Sequence, residues 1–360
     1  MTTFNKHCNI IGLEKRDIWE AFISKLPLSQ QDIYYTSEYY SFYEKYGDGK
    51  AQCFVFEKDG DLAIYPFLIN SVNELGYDLN DDYYDIQGAY GYNGVLSSCY
   101  NPKFSNEFSR NFEEYCHDNN IVAEFTRFNP FLKNHRFSGN YMQTSLNRNT
   151  AFLNLNDSFD TIWENSYSSK NRNMIRKALN KGYKVIIDNS IIGAKEFYSM
   201  YLSTMKAIKA DRYYYFNESM FIKMTRIPYF DFLFVKDNNH NKLATMILMT
   251  YCNYAHYHLS GRDSEKGDNS VNAFLLNEAV KIAKEKKAKL FHFGGGNSLD
   301  EHDSLFRFKR GFSKRFLDFF IGKKIHEQRI YNKIILQWQE NHANSFCKNK
   351  HKLLGYREIL

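Results

Sequence analysis

The sequence predicts an α+β fold, and three observations predict it. Helix signals lead into three consecutive strand patterns, at residues 229–235, 243–251 and 255–260. Turns at Asn238-Asn239 and Cys252-Asn253 separate them, so they read as an antiparallel meander. A helix and one more strand follow, an order that a doubly wound parallel sheet does not produce. Near the start, Asp59-Gly60 joins two apolar runs, residues 52–57 and 62–70, as a tight hairpin.

Composition agrees. The 360 residues are 43% hydrophobic and 17% aromatic, with 28 Tyr and 31 Phe, which is more core-forming material than a disordered chain carries. With 5 Pro and 19 Gly, collagen-like and low-complexity readings fail. No fixed short repeat occurs, which excludes a solenoid. The length suits two compact units. We divide the chain into a first lobe at residues 1–149, a second at 150–345 and a tail at 346–360.

The remaining elements follow in order. Ser37 opens a helix that runs to Tyr46. An acidic run, residues 78–85, precedes a loop from Gly88 to Gly94 whose glycines let backbone approach a ligand beside Tyr90 and Tyr92. A helix at 104–117 and a strand at 121–128 complete the first lobe. In the second, a strand at 152–155 precedes a helix with Asp157 as cap. A basic amphipathic helix then starts at Ser168 or Ser169 and stops at Gly182. Its Met174, Ile175, Ala178 and Leu179 share one face, and Lys170, Arg172, Arg176, Lys177 and Lys181 fall elsewhere. A strand at 183–187 and helices at 194–209 and 218–225 lead to the meander. A helix at 269–287, a strand at 290–293, the turn Gly294-Gly295-Gly296-Asn297 and a helix at 328–340 end the pattern.

Charge is uneven. Residues 1–150 hold 13 Lys and Arg against 20 Asp and Glu, a balance of −7; residues 151–360 hold 34 against 21, a balance of +13. A basic half suits an anionic ligand. No run reaches the ~18 apolar residues of a membrane span. Residues 1–10 lack a secretory apolar core. Six Cys, at 8, 53, 99, 116, 252 and 347, form no CxxC pair, so reduced thiols and a cytoplasmic location are expected.

Several chemistries are excluded by motif. There is no GxxxxGK[ST], HExxH, GxSxG or GxGxxG. His256 and His258, two apart on a strand, and His292 could face a cleft, but no carboxylate or thiolate accompanies them at ligand spacing, so no metal is expected. The loop Gly261–Asp268 runs from a strand into a helix N-terminus, a natural place for phosphate. The segment Asp303-Ser304-Leu305-Phe306-Arg307-Phe308-Lys309-Arg310-Gly311-Phe312 is the most informative. Leu305, Phe308 and Phe312 can anchor it and hold Lys309 amid aromatics, where a desolvated ammonium has a partner or a task.

Read together, these segments resemble the Fem-type aminoacyltransferases and their GNAT-like relatives. The carrying residues are Tyr90-Gly91-Tyr92-Asn93-Gly94, Arg127-Phe128-Asn129-Pro130 with Asn134, and Ser169-Lys170-Asn171-Arg172 through Ala178. Thr204-Met205, Tyr213-Tyr214-Tyr215-Phe216, His256 to Gly261, Phe293 to Gly296 and Leu305 to Phe312 complete the set. The ordered set spans nearly the whole chain. The resemblance implies two tandem GNAT-like lobes with mixed, largely antiparallel sheets and a cleft between them. It implies acyl transfer to an amine without a covalent enzyme intermediate.

On this resemblance Lys309 stabilises the oxyanion, and His258, Tyr213 or Tyr92 relays the proton. Tyr90, Tyr92 and Arg127 line the first-lobe cavity. Arg172, Arg176, Lys177 and Arg262 meet substrate, the first three at donor phosphates. No tightly bound cofactor is implied; the donor is aminoacyl-tRNA or acetyl-CoA. The acceptor is a nucleotide- or lipid-linked sugar or peptide of the cell envelope, with peripheral membrane contact at most and no DNA partner. Two readings stay open beside it: an acetyl-CoA-dependent N-acetyltransferase of a nucleotide-linked amino sugar, and a non-catalytic RNA-binding module.

Overall fold

A computed structural model describes residues 6–139, 141–263, 265–296, 300 and 302–359. It is α+β and divides into two compact units, residues 1–147 with 319–360, and residues 148–318.

The first unit opens with β1 (Cys8–Gly12), α1 (Arg16–Lys25) and α2 (Ser37–Tyr46). The Thr36 side chain caps α2 by accepting from Tyr39 N–H, and Gly47, at φ +103°, ends it. β2 (Lys50–Lys58) and β3 (Asp61–Ser71) form the expected hairpin; Asp59 and Gly60 both have positive φ, as a two-residue turn of this kind demands. Next come β4 (Tyr84–Gln87), β5 (Leu96–Ser97), α3 (Pro102–Asp118), β6 (Ile121–Arg127) and α4 (His135–Ser138). α3 has Asn101 as cap and Pro102 at its first position, where the missing N–H costs nothing. Its Phe104, Phe108 and Phe112 pack against Phe54, Phe56 and Tyr65 of the sheet.

The second unit begins within β7 (Gln143–Asn154) and continues through α5 (Phe159–Asn165), α6 (Ser169–Asn180), β8 (Lys184–Ile187), α7 (Ile191–Ala207) and α8 (Glu218–Met224). Ser158, and not Asp157, caps α5. Then come β9 (Phe230–Lys236), β10 (Lys242–Tyr251), β11 (Tyr254–Arg262), α9 (Asn269–Glu285), β12 (Leu290–Gly294) and α10 (Ser304–Arg310). The core joins Leu153 of β7, Ile175 and Ala178 of α6, Val271, Leu275 and Ala279 of α9, and Phe291 and Phe293 of β12.

The chain then returns to the first unit through β13 (Arg315–Ile325), α11 (Gln328–Asn341) and α12 (Ala343–Asn349). This corrects the sequence-based boundaries, which placed residues up to 345 in the second lobe and 346–360 in a tail. Ile321 to Ile325 of β13 pair with Ala123 to Arg127 of β6. Ile334 and Trp338 of α11 and Tyr356 form one core with Val72, Tyr77, Val122 and Ala123.

The two units share a strand pattern. In the first the order is β1-β2-β3-β4-β6-β13; in the second, read from its far edge, it is β8-β9-β10-β11-β12-β7. In each, the fourth and fifth strands are parallel and every other adjacent pair is antiparallel. The parallel pair in each is joined through a helix, α3 or α9, as a parallel connection requires.

Candidate active site

The site is built at the parallel pair of the second unit. Among the described residues, β11 and β12 pair only at Tyr254 to His256 against Leu290 to His292. β11 nevertheless continues to Arg262 and β12 to Gly294. Between Tyr257 and Ser260, β11 has two residues, His258 and Leu259, where β10, between Met246 and Leu248, has one. That bulge starts at His258 and breaks the strand's alternation where the ladder to β12 has ended.

Lys309 enters this fork. It lies on α10, capped by Asp303, whose side chain accepts from Phe306 N–H at 2.9 Å. Phe306 is buried with Lys309, three residues on along one helix face, and Phe312 is fully buried. The anchors are therefore Phe306 and Phe312; Leu305 and Phe308 are only partly buried. The Lys309 ammonium donates to the Gly295 carbonyl at 2.7 Å and lies 5.5 Å from the centre of the Tyr257 ring. Burial brings its pKa down to about 7; Asp303 opposes the fall and Arg148 adds to it.

Three imidazoles flank the fork. His256 and His292 are register partners, with ring centres 5.7 Å apart and edge to face. Burial, with His256 second, holds His258 down to about 3. Burial, then His256 and Lys309, holds His292 well below the usual imidazole range. His258 and His292 are thus neutral at physiological pH. Among the described residues no group of three His, Cys, Asp or Glu is placed to hold a metal ion.

The loop after β11 is closed by its own carboxylates. Asp263 Oδ1 accepts from Glu265 N–H at 2.9 Å and Lys266 N–H at 3.1 Å. Asp268 caps α9, accepting from Ser270 N–H at 2.9 Å, and pairs with Lys177 and Lys181 at 2.9 Å each. Burial pushes the Asp268 carboxyl up, but Ser270 and the two lysines hold it well below the usual range. Gly261 lies where β11 meets α7: a Cβ there would come within 2.6 Å of the Met200 backbone. Ser264 of this loop, and Asn297 of the glycine turn, lie outside the described residues.

The other predicted residues fall as follows. Arg172 Nη1 donates to the carbonyls of Trp163 (3.2 Å), Glu164 (3.1 Å) and Tyr167 (2.7 Å), so it closes the C-terminal end of α5. Arg176 is exposed, lies 5.5 Å from the centre of the Trp163 ring and donates to Asn173. Arg262 donates to Asn269 Oδ1 at 3.1 Å, and its N–H to Thr204 Oγ1 at 2.9 Å. Tyr213 sits on a turn after α7, its ring edge-on to Tyr214 and Phe216.

In the first unit, Tyr92 packs edge-on between Tyr34 and Phe319. The Tyr90 carbonyl accepts from Tyr39 Oη at 2.6 Å. The Arg127 guanidinium stacks 5.0 Å from the centre of the Phe125 ring. Asn129 and Asn134 belong to a buried network. Asn129 Nδ2 donates to Asp32 at 2.9 Å, and Asn134 Nδ2 to Tyr35 Oη and the Asn93 carbonyl at 3.0 Å each. That part of the motif organises the loop around Asn93. The sequence reading missed Arg148, which precedes β12's partner segment of β7. The Gly294 to Gly296 turn, with no side chain to crowd a cation, was the signal that something reaches it.

No protein-family model and no curated protein matches this sequence. Solved structures do. The crystal structure of FemX aligns over 90% of this chain and 98% of its own at 15% identity, with a TM-score of 0.66. The structure of L-PGS from Bacillus licheniformis aligns over 87% and 92% at 12% identity and 0.54. A tandem GNAT protein from the clavulanic acid biosynthesis pathway aligns over 89% and 98% at 9% identity and 0.50. The chain has the tandem Fem/GNAT-like fold.

Proposed function

We propose that this chain, folded as Fem and tandem GNAT proteins are, is an acyltransferase. It moves an aminoacyl or acetyl group from an ester or thioester to an amine of a nucleotide- or lipid-linked cell-envelope precursor. The observation that carries this reading is a buried Lys309 in the mouth of the β11–β12 fork, resting on the Gly295 carbonyl with its pKa near 7.

The amine attacks the donor carbonyl, the C–N bond forms, and charge develops on the carbonyl oxygen. The Lys309 ammonium moves its hydrogen bond from the Gly295 carbonyl to that oxygen, which is a stronger acceptor once charged. The C–O or C–S bond then breaks and the leaving group takes up a proton, while the new ammonium-like nitrogen loses one. Alignment of the two reactants supplies much of the acceleration, up to ~7–11 kcal/mol in the best intramolecular cases. Neutral His258 offers a lone pair for the amine proton, though its depressed basicity suits a relay and not storage.

An aminoacyl ester is favoured over acetyl-CoA as donor. The amides of Glu265, Lys266 and Ser270 would otherwise be free for a diphosphate, but Asp263 and Asp268 use them. The Lys177 ammonium, expected at donor phosphates, pairs with Asp268, as does Lys181 beside it. Among the described residues no helix is long and apolar enough to cross a membrane.

Mass spectrometry of nucleotide- and lipid-linked glycans from cells with and without the protein tests this. Gain of an amino-acid residue mass on one precursor supports the reading. An acetyl gain moves the donor to coenzyme A. No acyl difference in any precursor, with purified protein inert towards aminoacyl-tRNA and acetyl-CoA, overturns it.

A further inference from the structure

We propose that Arg148 is a positioning residue for Lys309, fixing the glycine turn on whose carbonyl the ammonium rests. The inference rests on the acyl-transfer reading of Lys309 and adds a residue which that reading does not use.

Arg148 Nη1 donates to the Gly296 carbonyl at 2.5 Å, and Lys309 Nζ to the Gly295 carbonyl at 2.7 Å. Two cations thus hold successive carbonyls of one short turn. Charged side chains crowd all three glycines. Gly294 is left-handed at φ +79°, and a Cβ there would lie 3.2 Å from Lys309 Nζ. A Cβ at Gly295 would meet Arg148 Cδ at 3.0 Å, and one at Gly296 would meet Asp303 Oδ1 at 2.5 Å. A run of glycines has little stiffness of its own. Its shape therefore depends on what grips it, and Arg148 grips it from β7, whose Ala151 pairs with Gly294.

The same placement sets the charge around Lys309. Arg148 faces it from β7, Asp303 from the start of α10, His292 from β12 and the Tyr257 ring from β11. Asp303 favours the ammonium and Arg148 disfavours it. Replacing Arg148 removes the clamp on the turn and the like charge together.

The test is NMR of the full chain labelled with 13C at lysine Cε, titrated over pH. The Lys309 signal is assigned by its loss in Lys309→Arg. The wild-type midpoint is expected near 7. Arg148→Gln is expected to raise it by about one pH unit, and the charge-keeping Arg148→Lys to hold it near the wild-type value. Arg148→Met keeps the stem that packs on Gly295 and replaces Arg148→Gln should that variant fail to fold. An unmoved midpoint in the neutral variants overturns the role of Arg148 and leaves the acyl-transfer reading standing. A wild-type midpoint at the ordinary lysine value of 10.5 overturns both.

Discussion

The two units carry the same fork and treat it oppositely. In the first, β4 and β6 run parallel and the gap beyond them is stitched by Asn93, which bridges to Phe128. Asn93 N–H donates to the Arg127 carbonyl at 2.6 Å, and Arg127 N–H to Asn93 Oδ1 at 3.0 Å. The Asn93 carbonyl accepts from Tyr35 and Asn134. In the second, pairing ends at His256 and His292, and the opening receives Lys309. Buried charge follows the same division. Asp85 is fully buried, takes Arg357 Nε at 2.8 and 2.9 Å and Tyr356 Oη at 2.7 Å. Glu124 accepts from Tyr65 and Tyr141 and lies 3.2 Å from His326 Nε2. Each of those carboxyl groups has several partners. Among the described residues Lys309 has the Gly295 carbonyl as its hydrogen-bond acceptor, with Asp303 favouring its charge and Arg148 opposing it, and burial still brings its pKa down. A group held that loosely inside a protein is placed for something other than stability.

The contrast breaks or sharpens under substitution. The largest effect is expected at Asp85: Asp85→Ala strands the Arg357 guanidinium and costs about 3–5 kcal/mol in denaturant titration, with the Lys309 NMR signal unmoved. Lys309→Met comes next and inverts that outcome. Transfer should fall about 10²–10³-fold, while folding stability stays level or rises because an under-paired charge has left the interior. A loss of several kcal/mol in Lys309→Met would put Lys309 with the structural charges and erase the contrast.

The pH dependence follows from the same depressed pKa. Folded Lys309 binds fewer protons than unfolded chain between about 7 and 10.5, so stability of the wild type relative to Lys309→Met should rise with pH across that window, at up to ~1.4 kcal/mol per pH unit. His258 acts in acid. Its folded pKa of about 3 lies below the ordinary 6.5, so stability should be lost as pH falls from about 6.5 towards 3, and His258→Asn should flatten that limb. For transfer, an ammonium acting on the oxyanion predicts a rate that falls as pH rises through 7. A rate that rises there would make Lys309 the proton acceptor instead.

Smaller effects test the stitched fork. Asn93→Ala leaves Arg127 N–H without its acceptor and should cost about 1–3 kcal/mol. Lys177→Ala removes an exposed ion pair and should leave the denaturation midpoint nearly unmoved. A large loss there would mean that the Asp268 cluster is structural and not a shield over the helix terminus.

Legibility in the sequence followed the range of the interactions. The Asp59-Gly60 hairpin and the meander are set within a few residues and formed as read, and of the two serines offered as cap for α6 the structure uses Ser168. Lys309 was legible because Leu305, Phe308 and Phe312 surround it in the chain, although Phe306 and not Leu305 is the buried anchor. Arg172 misled: its sequence neighbours suggest a basic face, but its guanidinium reaches back to carbonyls of α5. Arg148 could not be found, because its partner Gly296 is far along the chain.

By itself, then, the sequence determined the α+β class, most of the elements and the lysine most open to a catalytic reading. Local turn chemistry, capping and apolar period are enough for those. Only the tertiary structure decided that residues 319–360 rejoin the first unit, that Asn93 closes one fork and that Arg148 and Lys309 share one turn. Those outcomes rest on partners distant along the chain. Strand pairing and burial select such partners by shape and charge, and no local pattern encodes them.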